Sequence, residues 1–243
     1  MKILLNGYKG RMGQAIVAAA ENAGAEIAAK SDVGEPWTRE QVAACDAAVD
    51  FSFHEATPAL AEICAETGTP LVIGTTGHTP EERARIEAAA KKIPVVWAGN
   101  YSVGVNVLNW LVGKAAALLD SSFQVEVVEM HHRHKKDAPS GTAAKLISLV
   151  ENARGLDASA ERHGRVGLVG ERSRDEIGVH SLRGGSVVGD HTVIFAGEGE
   201  RVELTHKAES RAIFANGAVH AAGWVVGKAP GIYGMEAVLG LDA

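Results

Sequence analysis

The chain has 243 residues, 46% of them hydrophobic, enough to bury one large core or two modest ones. A net charge of −6 argues against a general nucleic-acid binder, and an aromatic content of 5% leaves no obvious stacking platforms for bases. No apolar run approaches membrane-spanning length, Ile3-Leu4-Leu5 is too short for a signal peptide, and Cys45 and Cys64 form no Cys-x-x-Cys; a cytoplasmic chain with buried, reduced thiols is expected.

Lys2 to Asn6 reads as a short buried strand, followed by the turn Gly7-Tyr8-Lys9-Gly10-Arg11-Met12-Gly13 and an apolar-rich helix over Gln14 to Ala23 that stops at Gly24. Glu26 to Lys30 is the next strand. Strand, glycine turn, helix and strand within about thirty residues make a dinucleotide-binding unit, in which glycines let backbone N–H groups approach a pyrophosphate at a helix start. The spacing is Gly-x-x-Gly-x-x-Gly rather than Gly-x-Gly-x-x-Gly, and a turn serving only close packing is the plainer alternative. Asp32, just past the second strand, favours NADH, whereas Lys9, Arg11 and Lys30 favour NADPH, so use of both nucleotides is expected. Each of these charges reads equally well as a solvated surface group.

Ala47 to Asp50 is a third strand ending in Asp50-Phe51-Ser52, and helical sequence runs from about Glu55 to Thr67. Pro70 to Ile73 is a fourth strand ending in Gly74-Thr75-Thr76-Gly77. Thr79-Pro80-Glu81-Glu82 then opens a helix, with Thr79 as N-cap, Pro80 at the first helical position and Glu82 closing a capping box. Val95 to Ala98 is a fifth strand ending in Gly99-Asn100-Tyr101-Ser102. Alternating β and α describes an open parallel sheet of Rossmann type, an α/β fold whose ligands lie beyond the strand carboxyl ends. The small residues of Gly74–Gly77 and Ala98–Ser102 fall there and would admit a nicotinamide ring.

Val103 to Leu119 has helical character, and beyond it the pattern changes. Phe123, Val125 and Val127 share one face at period two; Glu129 and His131 continue that face while His132 points the other way. The strand delivers Glu129-Met-His-His-Arg-His-Lys-Lys-Asp-Ala-Pro-Ser-Gly-Thr142, which crowds three histidines, an arginine and two lysines into six positions before a helix over about Ser140 to Asn152. Cations, titratable imidazoles and a helix N-terminus suit a small substrate with carboxylates that must also receive a proton. A solvated basic loop and a His-His-x-His metal site are the other readings, the latter without a Cys pair or His-Glu-x-x-His to support it.

Gly155 to Gly178 has little periodicity and reads as a mobile loop. Val179 to Arg183, His191 to Phe195 and Arg201 to Thr205 read as strands joined through Gly184-Gly185 and Gly197-Glu198-Gly199, which makes a mixed sheet in a separate α+β domain. Arg211 to Val226 is a helix, Lys228 to Gly234 a turn, and Glu236 to Leu239 a last strand that rejoins the first sheet. The expected division is therefore residues 1–102 with 212–243 for the dinucleotide, and residues 103–211 for substrate.

Taken in order, the glycine turn, Asp50-Phe51-Ser52, Gly74-Thr75-Thr76-Gly77, Asn100-Tyr101-Ser102-Val103-Gly104-Val105, His131–Thr142 and Phe214-Ala215-Asn216-Gly217-Ala218 closely resemble the dihydrodipicolinate reductase family. The resemblance implies reduction of a cyclic imine dicarboxylate by NADH or NADPH in diaminopimelate and lysine formation, by a homotetramer joined through its second domain. It implies His131 as the general acid that protonates the ring carbon beside the imine, and Lys135 as a second catalytic cation. By the same resemblance His132, Ser140, Gly141, Thr142 and Thr76 contact the substrate. Gly7, Lys9, Gly10, Arg11 and Met12 match the pyrophosphate and ribose end of the cofactor site, and Gly74, Thr76, Ala98, Asn100 and Tyr101 the nicotinamide end. Lys30-Ser31 stands where some relatives carry an acid, which leaves Asp32 as the ribose partner. Among rivals, a sugar-type dehydrogenase would place Glu-Lys-Pro at the fifth strand end, and a nucleotide-sensing regulator would need a DNA-binding module; the chain has neither.

Overall fold

The structure, a computed structural model, describes residues 1–241. The chain divides into two compact units, Met1–Val103 with the segment from Arg211 onward, and Gly104–Ser210.

The first unit opens with β1 (Lys2–Asn6), α1 (Arg11–Asn22), β2 (Glu26–Ser31), α2 (Arg39–Ala43), β3 (Ala47–Asp50), α3 (Thr57–Thr67), β4 (Leu71–Ile73), α4 (Pro80–Ala90) and β5 (Pro94–Trp97). After α5 (Val103–Leu118), the second unit contains β6 (Gln124–His131), α6 (Gly141–Arg154), a 3₁₀ turn (Ala158–Ala160), β7 (Glu161–His163), β8 (Ile177–Arg183), β9 (Gly189–Gly197) and β10 (Glu200–Ala208). The chain then returns to the first unit with α7 (Ala212–Val225), β11 (Gly231–Tyr233) and α8 (Met235–Leu239).

The first sheet is parallel throughout, in the order β11-β5-β4-β3-β1-β2. Both faces are covered, so its inner strands β1, β3, β4 and β5 are short apolar runs rather than alternating ones. Ile3, Leu5, Val49, Val72 and Val96 pack with α1 and α7 on one side, while Leu4, Ala48, Leu71, Ile73 and Val95 pack with α3 and α4 on the other. Helix α4 starts as its sequence requires: Thr79 Oγ1 accepts from the Glu82 N–H, and Glu82 Oε2 accepts from the Thr79 N–H. Cys45 and Cys64 are both free and buried.

The second sheet is mixed, in the order β10-β9-β6-β8-β7, with β6 parallel to β8 and antiparallel to β9. Alternation along β6 is strict: Val125, Val127, Glu129 and His131 are buried, and the residues between them are half-buried. Val125 and Val127 join Val193, Phe195, Leu146 and Val150 in a core against α6.

Several expectations needed correction. The last strand is Gly231–Tyr233, pairing Ile232 with Val95, whereas Glu236–Leu239 lies in α8. Met235 and Val238 are buried at helical rather than period-two spacing, and Gly240 ends the helix in the left-handed conformation. Gly155–Gly178 is not one uninterrupted loop, because Glu161–His163 pairs with the start of β8 as an edge strand. Its charged residues carry no alternation, and backbone pairing alone makes the strand. Helix α1 begins at Arg11 rather than Gln14, since Gly10 is its N-cap. Helix α2 was not foreseen, although Thr38 and Gln41 form a complete capping box.

Candidate active site

In the first unit the glycine turn closes the end of β1. Gly7 has φ +85°, and a Cβ there would fall 2.3 Å from the Phe51 carbonyl oxygen; one on Gly13 would fall 2.2 Å from the Gly7 carbonyl oxygen. Both positions are glycine because backbone meets backbone. Gly10 is different: its Cβ would meet only the Gly7 carbonyl oxygen, at 3.3 Å, and its face is otherwise open. Gly10 caps α1 without a side-chain bond, so the first N–H groups of that helix remain available to a pyrophosphate. The cradle fits a dinucleotide.

The loops that follow β1, β3 and β4 are tied together by one fully buried carboxylate, Asp50. It accepts from Asn6 Nδ2 (2.7 Å), Ser52 Oγ (2.5 Å), Thr57 Oγ1 (2.6 Å) and Thr75 Oγ1 (2.8 Å). Thr75 Oγ1 also accepts from the Ser52 N–H. Asp50-Phe51-Ser52 and Gly74–Gly77 thus brace each other, and the Phe51 ring lies over Gly74, where a Cβ would sit 2.2 Å from it. Thr76 and Gly77 are left exposed at the tip, and Ala98 and Asn100 are half-buried.

Tyr101 needs a different description from the one its motif suggests. Its side chain is in the core, and its hydroxyl donates to the Ile73 carbonyl at 2.8 Å and lies 3.1 Å from that of Val96. Burial pushes the phenol well above its usual range. The side chain braces the ends of β4 and β5, and Gly217 packs on its backbone, with a Cβ at 217 only 1.7 Å from the Tyr101 carbonyl oxygen. This close approach explains the glycine of Phe214–Ala218.

Just past β2, Asp32 accepts from the backbone N–H of Lys9 (2.9 Å) and of Val33 (2.8 Å). Arg11 is exposed on the first turn of α1, with half-buried Met12 beside it. A cleft of about 470 Å³ is lined by Gly7, Gly10, Ser31, Asp32, Trp37 and Phe53 among others.

In the second unit the end of β6 holds a buried charge cluster. Glu129 Oε2 accepts from His131 Nδ1 at 2.6 Å, while Arg183 holds both carboxylate oxygens, each at 2.8 Å. The Ser140 N–H donates to Glu129 Oε1 at 3.2 Å. Burial alone would raise the Glu129 pKa, but the bonds from Arg183, His131 and Ser181 outweigh it and bring it down to about 2. An ionised carboxylate only accepts, so the hydrogen shared with His131 belongs to Nδ1, and Nε2 is the nitrogen left for another molecule. A Cβ on Gly189 would lie 2.9 Å from that Nε2, so glycine keeps its approach clear.

Ser140 is the N-cap of α6: its Oγ accepts from the Ala143 N–H and shares a 2.9 Å hydrogen bond with His191 Nε2. His191 stands edge-on to His131, with ring centroids 5.1 Å apart. Burial, reinforced by the charge of His131, lowers the His191 pKa to about 4, so this second imidazole stays neutral near pH 7. Lys135 pairs with Asp137 at 3.0 Å on the turn that leads into α6, and Arg183 Nη2 donates to the Asp137 carbonyl. His132 is half-buried, and its backbone N–H donates to Val187. Gly141 is exposed and Thr142 half-buried in the first turn of α6.

His131 and Ser140 are therefore joined through Glu129 and His191, whereas His132 leaves the strand on the other side. Sequence reasoning assigned no role to Glu129, Arg183, Gly189 or His191. Glu129 was detectable as the residue two before His131 on the same face; the other three lie on β8 and β9, 50 or more positions away. Among the described residues no three His, Cys, Asp or Glu side chains converge on a possible metal position.

Comparison with known proteins agrees with this geometry. Family models described as dihydrodipicolinate reductase, N-terminus and C-terminus, match residues 1–101 and 104–239. The chain belongs to the dihydrodipicolinate reductase family. A 4-hydroxy-tetrahydrodipicolinate reductase of Akkermansia muciniphila is 54% identical over 246 residues, covering 100% of this chain and 99% of its own. One from Anaeromyxobacter dehalogenans is 46% identical, covering 99% and 98% respectively. A solved dipicolinate-bound dihydrodipicolinate reductase from Paenisporosarcina sp. TG-14 superposes with a TM-score of 0.79 at 25% identity, covering 96% of this chain and 97% of that one. Family and fold together make the chain an oxidoreductase that uses a nicotinamide nucleotide. No helix among the described residues is long and apolar enough to cross a membrane.

Proposed function

We propose that the chain reduces 4-hydroxy-tetrahydrodipicolinate to tetrahydrodipicolinate, a step of diaminopimelate and lysine formation, with His131 as proton donor and Lys135 as the neighbouring cation. The nucleotide supplies the hydride when bound. The hydroxyl leaves as water, hydride and proton add across the carbon–carbon double bond conjugated to the imine, and the imine itself survives in the product. The chain's own residues must hold the dicarboxylate and deliver that proton to the ring carbon beside the imine. One observation carries the assignment of the acid: Glu129 is held ionised against Nδ1–H of His131, so that a second proton taken up by the ring sits on Nε2, beside Gly189, and is the one given to substrate. Gly141, Thr142 and the capping Ser140 start α6, whose N–H groups suit a carboxylate, and His132 and Thr76 are assigned as further substrate contacts. Lys135, half-buried and paired with the exposed Asp137, exchanges it for a substrate carboxylate in a charge-assisted bond worth about 1.5–3 kcal/mol.

For the cofactor, Gly7, Lys9, Gly10, Arg11 and Met12 take the pyrophosphate and ribose end, with Asp32 on the ribose hydroxyls. Gly74, Thr76, Ala98, Asn100 and the backbone at Tyr101 take the nicotinamide end. Both NADH and NADPH are used, since acid and cations flank the same ribose. The units divide this work, the segment 1–103 with 211–243 binding nucleotide and 104–210 binding substrate. Four copies assemble through the sheet face that carries half-buried Val128, Met130 and Ile194 and exposed Leu182, a state that light scattering reads directly as a fourfold mass.

His131→Gln tests the proton donor. Turnover is expected to fall by about 10²–10⁴, with KM little changed. Near-full kcat in this variant removes the role.

A further inference from the structure

We infer that Glu35, on the turn after β2, sets the nucleotide preference by holding Lys9 away from a 2′-phosphate, so that NADH binds more tightly than NADPH. The inference deepens the two-nucleotide reading above and rests on it.

The sequence places three cations near the ribose end, and counting charges leaves the preference undecided. The structure pairs one of them with a carboxylate. Lys9 Nζ donates to Glu35 Oε1 at 2.8 Å, and the Tyr8 hydroxyl donates to Glu35 Oε2 at 2.7 Å. Lys9 and Lys30 also flank the same Tyr8 ring, 5.6 and 5.8 Å from its centroid. Glu35 is brought there by a tight turn: Asp32 and Glu35 exchange both backbone hydrogen bonds, at 2.9 and 3.1 Å, around Gly34 at φ +81°. Two carboxylates therefore border the glycine turn where the sequence offers one. Asp32 is oriented by two backbone N–H groups, and Glu35 has drawn in the nearest ammonium.

A ribose with free hydroxyls can donate to such carboxylates. A 2′-phosphate brings a second negative charge to the same edge and must displace Glu35 to reach Lys9. Exposed ion pairs contribute little to folding, so replacing Glu35 changes the local charge and leaves the fold intact.

The experiment measures dissociation constants of NADH and NADPH by calorimetry on the full chain, with AMP and adenosine 2′,5′-bisphosphate as probes lacking the nicotinamide. The unsubstituted protein should bind NADH more tightly. Glu35→Gln should lower the Kd ratio of NADPH to NADH about tenfold, with the same shift between the two adenosine probes. Adding Lys9→Gln to that variant should cancel most of the gain, because the released ammonium provides it. Tighter NADPH binding by the unsubstituted protein, a ratio unmoved by Glu35→Gln, or a gain that survives loss of Lys9 overturns the inference. Turnover separates the two readings: a chain that turns over with NADH alone refutes two-nucleotide use, and the binding ratios still decide on Glu35.

Discussion

Each unit buries a carboxylate at a strand end, and the two carboxylates are held in opposite ways. Asp50, the last residue of β3, is surrounded by neutral donors: an amide and three hydroxyls. Glu129, near the end of β6, is gripped by a guanidinium and an imidazole. The first arrangement shapes backbone, pinning three loops so that glycines and helix N–H groups present a surface. The second keeps a proton on Nδ1 of His131 and leaves Nε2 as the nitrogen able to take up and release another. Neutral hydroxyls can rotate to suit a new partner, whereas a guanidinium can only donate.

That contrast predicts unequal costs for the same chemical change. Glu129→Gln leaves Arg183 facing an amide and should lower stability by about 3 kcal/mol, with kcat down roughly 10²-fold as His131 loses its orienting charge. Asp50→Asn should cost only about 1–2 kcal/mol, because Ser52, Thr57 and Thr75 can turn to accept. Urea unfolding of both variants checks this, and equal losses would break the comparison.

The next effect is in acid. His191 prefers to be neutral in the folded chain, so unfolded chain takes up its extra proton between the ordinary value of 6.5 and about 4; stability is lost as pH falls through that window. Glu129 adds a second loss from 4.5 down to about 2, because its charged form is the one the fold favours. Amide exchange, corrected for intrinsic rates, should show β6 losing protection at higher pH than β1 and β3. Simultaneous loss in both sheets would show that the charge cluster does not govern acid stability.

The smallest change is Ser140→Ala. Removing the α6 cap costs about 1 kcal/mol, read as a modest drop in melting temperature. KM for the imine should rise while kcat falls much less, since His131 keeps Glu129. A larger effect on kcat than on KM would move Ser140 from holding substrate to assisting the proton donor.

Much of the site's layout was legible in the chain. Unbroken apolar runs between glycine turns and helices specify a parallel sheet covered on both faces, and the alternation of β6 put Glu129 and His131 on its buried face before any coordinates. Capping residues set the start of α4 because their bonds are local. Where regularity was weak, local signals failed: Glu161–His163 is a strand only because β8 lies beside it, and Met235–Leu239 is too short for its period to separate helix from strand.

The sequence by itself determined the parallel βα series of the first sheet, the glycine cradle and the strand that carries Glu129 and His131, because those depend on neighbours a few residues apart. Only the tertiary structure decided that Tyr101 is a core brace, that Arg183 and His191 complete the Glu129 cluster, and that Glu35 occupies Lys9. Charges and close approaches between distant segments leave no periodicity along the chain; they exist once strand pairing brings those segments together.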